Sequence, residues 1–217
     1  MKTATLLCAV IGGAFACSTA SADVLSYLDL TEGVSSQTLD IGGVQVDVHT
    51  SPRVMKLKTV NGITGMGIKD GSVTGEIDGN EYMKFEFDTA VTVDCLEIAF
   101  LYDNHQFGDH PAEIARVITD ISDDTLMVTG PTTAVWSNSG VVVNLSIATE
   151  AGGGYWRISG DDIFGGEITS LKLKSGNPGD KGKYADFSFV KMSVVPTPGT
   201  AFLLGTGALA TSRRRRR

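Results

Sequence analysis

Apolar and polar side chains alternate one by one through most of the middle of this chain, a period of two that marks strands with one buried face. The stretch YMKFEFD at 82–88 puts Met83, Phe85 and Phe87 on one face and Lys84, Glu86 and Asp88 on the other. A short turn at Asp88, Thr89 and Ala90 leads to a second strand over 91–102, with Leu96, Ile98 and Phe100 inward. Residues 82–102 thus read as the central hairpin of the core. Further strands are expected at 44–49, 54–59, 114–119, 126–129, 141–148, 155–159, 168–174 and 184–194. Gly, Asn and Asp turns separate them at 70–71, 78–80, 123–124, 138–140, 160–162 and 176–179. The glycine-rich 62–76 (GITGMGIKDGSVTGE) lacks the Gly-Lys-Ser/Thr ending of a phosphate loop and reads as an Ω-like surface loop. No long stretch carries the 3.6-residue period of a helix. About ten short strands at this spacing imply an all-β chain, a single antiparallel β-sandwich of jelly-roll-like type, with an immunoglobulin-like sandwich as second choice.

Both ends of the chain break the pattern. Lys2 precedes an apolar run over 6–16, and Ala20-Ser21-Ala22 gives the small-x-small cleavage pattern of an export signal. Residues 1–22 are expected to leave, with cleavage between Ala22 and Asp23. A lipoprotein signal ending at Cys17 is the rival, but the branched apolar residue usual three places before that cysteine is missing. At the other end stand Pro196, Thr197 and Pro198, then an apolar run, then Arg213, Arg214, Arg215, Arg216 and Arg217. Prolines lack the N–H that a strand or helix would use, so they are expected to close the folded part, a single domain over 23–195. Arginines after an apolar run hold a C-terminus on the cytoplasmic side, though this run falls short of the ~20 residues of a full span.

This order of parts over 196–217 resembles the PEP-CTERM sorting tail of bacterial surface proteins, with Thr197 where that family's motif has glutamate. The stretch 62–195 is also similar to the exported β-sandwich domains of no known function that precede such tails. The resemblance implies an exosortase-like sorting enzyme as partner, transient anchoring in the inner membrane, and a final place at the cell surface or outside the cell. The setting it implies is a bacterium with an outer membrane and an extracellular polysaccharide layer, that polysaccharide being a further candidate partner.

Charge sharpens the picture. All 25 acidic residues fall within 23–195 but only twelve of the 18 basic ones do, a balance of about −13 for the domain against −7 for the whole chain. Such a surface repels nucleic acid and anionic lipid head groups and is compatible with cations, neutral glycans or simple solubility, so no nucleic-acid partner is expected. Cys8 and Cys17 leave with the signal, so Cys95, between apolar neighbours in VTVDCLEIAF, is read as a buried, inert thiol.

Candidate chemistry is sparse. His105 and His110 share a polar loop, at a spacing that defines no ligand geometry. Asp78 and Glu81, with Asp161 and Asp162 as a second acidic turn, are candidates for a structural calcium ion, the one cofactor considered, although turn chemistry explains Asp there equally well. Tyr102, Trp136, Tyr155 and Trp156 are the aromatics a glycan-binding face would need. Tyr155 and Trp156 are adjacent on one strand and must point to opposite faces. No nucleophile elbow, zincin motif or recognisable triad is present, so no catalytic residue is assigned. The expectation is a non-enzymatic exported protein with a structural or adhesive role at the cell surface. A carbohydrate-binding module is the alternative, to be told by two or more exposed coplanar aromatics. A small glycan-active enzyme ranks third.

Overall fold

The computed structural model describes residues 21–69, 74–103, 113–149, 151–176 and 186–197. These form thirteen antiparallel strands and one short 3-10 turn at Tyr27–Asp29. In chain order the strands are β1 Asp23–Ser26, β2 Ser36–Ile41, β3 Val44–Ser51, β4 Met55–Val60, β5 Ile63–Ile68, β6 Tyr82–Ala99 and β7 Ile114–Thr119. They continue with β8 Asp123–Gly130, β9 Thr133–Trp136, β10 Val141–Ser146, β11 Tyr155–Ser159, β12 Ile168–Ser175 and β13 Ser188–Pro196. The chain is all-β, as its alternation implies, and the hydrogen-bonded network does not close into a barrel.

β6 is the axis of the molecule. Its first half pairs with β3 on one side and β12 on the other, and β12 continues through β7 and β8 to β9. Its second half pairs instead with β13 and β11, which carry β1, β5 and β10. One strand therefore belongs to two half-sheets. The expected hairpin at 88–90 is not there: β6 runs unbroken through Asp88, Thr89 and Ala90. None of these three is the glycine or asparagine that a tight reversal favours, since such a turn needs a left-handed backbone. The chain exchanges partners instead of reversing.

The inward alternation changes phase along β6. Met83, Phe85, Phe87, Val91 and Val93 are buried, and then Leu96 and Ile98. The shift falls where β13 skips Asp94, pairing Val194 with Val93 but Ser193 with Cys95. A bulge of this kind adds one residue and turns the following side chains to the other face. Phe100 is buried as expected, but not among the inward set. The strand ends at Ala99, Phe100 has φ +66°, and its ring joins Ala99, Tyr102 and Val190 in a small cluster apart from the main core.

One main core gathers the inward residues of both half-sheets. The rings of Phe85 from the first half and Phe189 from the second lie 5.0 Å apart. The arrangement is β-sandwich-like, with β6 crossing between its layers as corner strands do.

Other expectations shift in detail. The segment 62–76 is not a loop throughout, because Ile63–Ile68 forms β5, paired residue by residue with β4. Its glycines serve close approach: a Cβ at Gly65 would come within 2.6 Å of Ser188 Cβ, and one at Gly67 would run into the backbone of Gly75 and Glu76. Asp123 and Asp124 open β8 instead of forming the turn. That turn lies just before them, where Thr119 Oγ1 accepts from the Ile121 and Ser122 amides at 3.2 and 2.8 Å. Pro196 is the last residue of β13, opposite Val91, so the first proline closes the strand from within. The strands β1, β2 and β9 were not foreseen.

Candidate functional site

Three groups of polar side chains stand out from this frame, two of them on the outward side of β6, one on each half. Beyond the Asp94 bulge, Glu97 takes the face opposite Leu96 and Ile98, yet its side chain is fully buried. The register explains the burial, for Glu97 lies between Arg157 of β11 and Lys191 of β13. Arg157 Nε donates to Glu97 Oε1 at 2.6 Å, Lys191 Nζ lies 3.3 Å from the same oxygen, and the Tyr155 hydroxyl donates to Oε2. Burial, reinforced by the Glu97 carboxylate, pushes the Tyr155 hydroxyl well above its ordinary value. Cys95, two residues before Glu97, is half-buried, and burial followed by the Glu97 charge pushes its thiol up too. The thiolate is disfavoured, as expected of an inert cysteine.

On the first half of β6 the outward residues are Tyr82, Lys84 and Glu86. Lys84 stands opposite Lys172 of β12, and Tyr82 opposite Lys174. On the far side of β12, Lys174 faces Arg116 of β7. Lys84 reaches Glu86 at 2.6 Å. Arg116 grips Asp123 with two bonds, Nε to Oδ1 at 2.7 Å and a second from its terminal nitrogen, which holds the Asp123 carboxyl below its ordinary value. Lys172 Nζ sits 5.7 Å from the centre of the Tyr82 ring, a cation–π contact.

The third group lies in residues 74–81, between β5 and β6. Ile77 N donates to Phe187 O at 2.7 Å and Ser188 Oγ to Gly75 O at 2.7 Å, tying the segment against β13. Glu76 is buried beside Lys58 of β4 at 2.8 Å, and its other oxygen has no hydrogen-bond partner. Burial pushes Glu76 up to about 7, with Lys58 opposing and Asp186 and Asp78 adding to the rise.

The calcium candidates Asp78 and Glu81 fall in this segment and are bound to each other. Glu81 N donates to Asp78 O at 2.7 Å, and Asp78 N to Glu81 Oε2 at 3.2 Å. Burial above all pushes Glu81 up to about 7. Among the described residues no three His, Cys, Asp or Glu side chains converge as a metal would require, and calcium takes six to eight oxygens. In the second acidic turn Asp162 Oδ1 caps the amides of Phe164 and Gly165 at 3.1 and 3.0 Å, which is turn chemistry.

Both tryptophans are core residues. Trp156 Nε1 donates to Leu101 O at 3.0 Å and Trp136 Nε1 to Ile163 O at 3.2 Å. Tyr155 takes the face opposite Trp156, as their adjacency requires, and is half-buried over Glu97. No aromatic side chain among the described residues is exposed, so the stacking platform of a glycan-binding module is not found there. His105, His110, Pro198 and Arg213 to Arg217 lie outside the described residues. Of the expected processing positions, Ala22 is exposed and Asp23 opens β1 opposite Val194. Thr197 follows β13, its amide 3.3 Å from Ala90 O. No helix among the described residues is long and apolar enough to cross a membrane.

The Glu97 group was missed in the sequence, though a glutamate inside the apolar run CLEIAF was its signal. The basic group left a fainter one, lysines at alternate positions in LKLK. No protein-family model, curated protein or solved structure matches this chain.

Proposed function

We propose that this chain is an exported, non-enzymatic protein of the cell surface or extracellular matrix, with a structural or adhesive role. Its two half-sheets are read as the layers of a jelly-roll-like sandwich. Residues 1–22 act as the signal peptide and 196–217 as a PEP-CTERM-like sorting tail, read by an exosortase-like enzyme while the chain is held briefly in the inner membrane. The observation that supports this reading is where the paired strands start and stop. β1 begins at Asp23, the residue after the cleavage pattern, and pairs with β13, which ends at Pro196, where the sorting pattern begins. Cleavage after Ala22 removes nothing from any strand among the described residues. Among the described residues the half-sheets turn faces with many polar side chains outward, which fits a structural or adhesive part.

Mass spectrometry of the surface-associated protein tests this, with an N-terminus at Asp23 expected. An acylated Cys17 would replace the reading with a lipoprotein. Changing Arg213 to Arg217 to serine should release unprocessed protein from the membrane fraction, and unchanged fractionation would remove the arginines as a stop signal.

A further inference from the structure

The outward face of β6, β12 and β7 contains an arrangement that stability alone does not favour. Like charges directly opposite on paired strands repel, and here two such pairs stand side by side: Lys84 opposite Lys172, and Lys174 opposite Arg116. They draw four of the twelve basic residues of a strongly acidic domain onto three adjacent strands. Lys84 and Arg116 are each answered by a carboxylate, Glu86 and Asp123. Lys172 and Lys174 have no ion pair among the described residues, while buried Leu171 and Leu173 fix the strand so that both lysines face outward.

We infer that this face is a docking surface for an extended acidic polysaccharide of the polyuronate class, read through Lys172 and Lys174 with Lys84 and Arg116 beside them. The inference rests on the proposed cell-surface role and names the partner class for it. Positive charge repeats across the strands at the sheet spacing of about 4.8 Å, which suits carboxylates spaced along a stretched chain. Tyr82 is the aromatic beside the lysines and is capped by Lys172, so base stacking, which single-stranded nucleic acid requires, has no platform. On this face Ile114 and Ile118 of β7 are half-buried on either side of Arg116, with Ile118 opposite Lys172, and the exposed Met127 and Val135 lie farther out on β8 and β9, so the four cations, and no fully exposed apolar side chain, hold its centre. Local charge is what it offers, a cationic strip that must outweigh the repulsion the domain's overall balance of about −13 exerts on any polyanion.

The purified full chain should bind polygalacturonate and not neutral dextran, and lose about tenfold in affinity between about 50 and 300 mM sodium chloride as screening grows. The double variant Lys172→Gln, Lys174→Gln should lose about tenfold or more at low salt, with its melting temperature unchanged or raised. Lys84→Gln should give a smaller loss, and Lys56→Gln, at the edge strand β4, none. Failure of the native chain to bind polygalacturonate at low salt overturns the inference, as does equal binding by the double variant. Binding to RNA or to anionic phosphatidylglycerol vesicles in place of polygalacturonate would assign the face to those partners instead. Self-association by sedimentation that the double variant abolishes, without polygalacturonate binding, would assign it to a second copy. None of these outcomes depends on where the chain is cleaved, so the binding inference and the sorting reading fail separately.

Discussion

The two outward faces of β6 solve the same electrostatic problem in opposite ways. On the second half a single carboxylate, Glu97, is placed between two cations and a tyrosine hydroxyl, and it is buried under them. On the first half cations stand opposite cations. One face is internally complete: each partner of Glu97 spends its charge on the protein itself. The other leaves charge over. The difference lies in one strand and a bulge, because the same alternation that exposes Lys84 and Glu86 would bury Glu97 in the main core had Asp94 not shifted the phase. A complete network belongs to stability, whereas an incomplete one adds little or nothing to it.

The largest effect expected bears on what the two halves share. Phe85→Ala removes a fully buried ring that packs on Phe189 of the other half-sheet, and should cost about 3–5 kcal/mol in chemical denaturation of the full chain. Glu86→Ala, one residue on, should cost no more than about 1 kcal/mol, since its ion pair is exposed. Equal midpoint shifts at unchanged slope would refute the facing assigned to β6. Next comes Glu97→Gln, which leaves Arg157 and Lys191 facing each other without the carboxylate. Removing one partner of a buried ion pair costs 3–5 kcal/mol; with both cations partly in water, about 3 kcal/mol is expected. A loss no larger than that of Glu86→Gln would show that the network is not the stabilising face.

These contrasts also mark how far the sequence could be read. Alternation locates β7 and β11 to the residue and most other strands nearly so, because one buried face imposes a period of two wherever the sheet is regular. It fails where the sheet is irregular. At 88–90 three less apolar residues interrupt the buried alternation, but the local pattern does not record that β3 and β12 hand over to β13 and β11 there. The glycines of β5 imitate a loop because they are selected for close contact with residues 75 and 76 and with Ser188, which are distant partners. Ser36–Ile41 went unread because its inward face is only partly buried and opens on Gln37, so Leu39 and Ile41 are the whole of its apolar signal. The polar groups were less legible still. Glu97, Arg157 and Lys191 come together only through strand order, and Lys84 meets Lys172 across 88 residues of chain.

A smaller effect should appear with pH, and it separates the complete network from residues 74–81, where Lys58 answers only one oxygen of Glu76. Glu76 and Glu81 ionise near 7 in the folded chain against 4.5 for a free glutamate. The folded state therefore holds protons that the unfolded chain has released, and stability should fall as pH rises from about 4.5 to about 7, then level off. Asp120 and Asp123, held below 3.8, act in the opposite sense, and only at lower pH. Denaturation midpoints across this range, compared with those of Glu76→Gln and Glu81→Gln, check it. Each variant should flatten the slope, and an unchanged slope in both would assign the effect to other groups.

The smallest effect discriminates best between the two faces, since it applies one substitution to each. Lys191→Gln removes one of the cations that answer Glu97 at 3.3 Å and should destabilise by about 0.5–1 kcal/mol, modest because the lysine is partly in water. Lys172→Gln removes a charge that faces Lys84 across the strand pair, gives up a cation–π contact with Tyr82, and leaves Asp123 its bidentate arginine. A cross-strand charge term is worth about 0.2–1 kcal/mol and an exposed cation–π contact about 0.5–1 kcal/mol. The two nearly cancel, so Lys172→Gln should shift stability by no more than about 0.5 kcal/mol in either direction. Salt separates them. Screening weakens the Lys84–Lys172 repulsion, so raising sodium chloride should stabilise the native chain more than it stabilises Lys172→Gln. For Lys191→Gln the order reverses, since salt weakens an attraction that only the native chain possesses. Thermal melts of the three proteins at low and high salt would show the two lines crossing in opposite senses. If both variants respond to salt alike, the lysines of β12 are not in mutual repulsion with their neighbours, and the contrast between the two faces of β6 is one of geometry without an energetic counterpart.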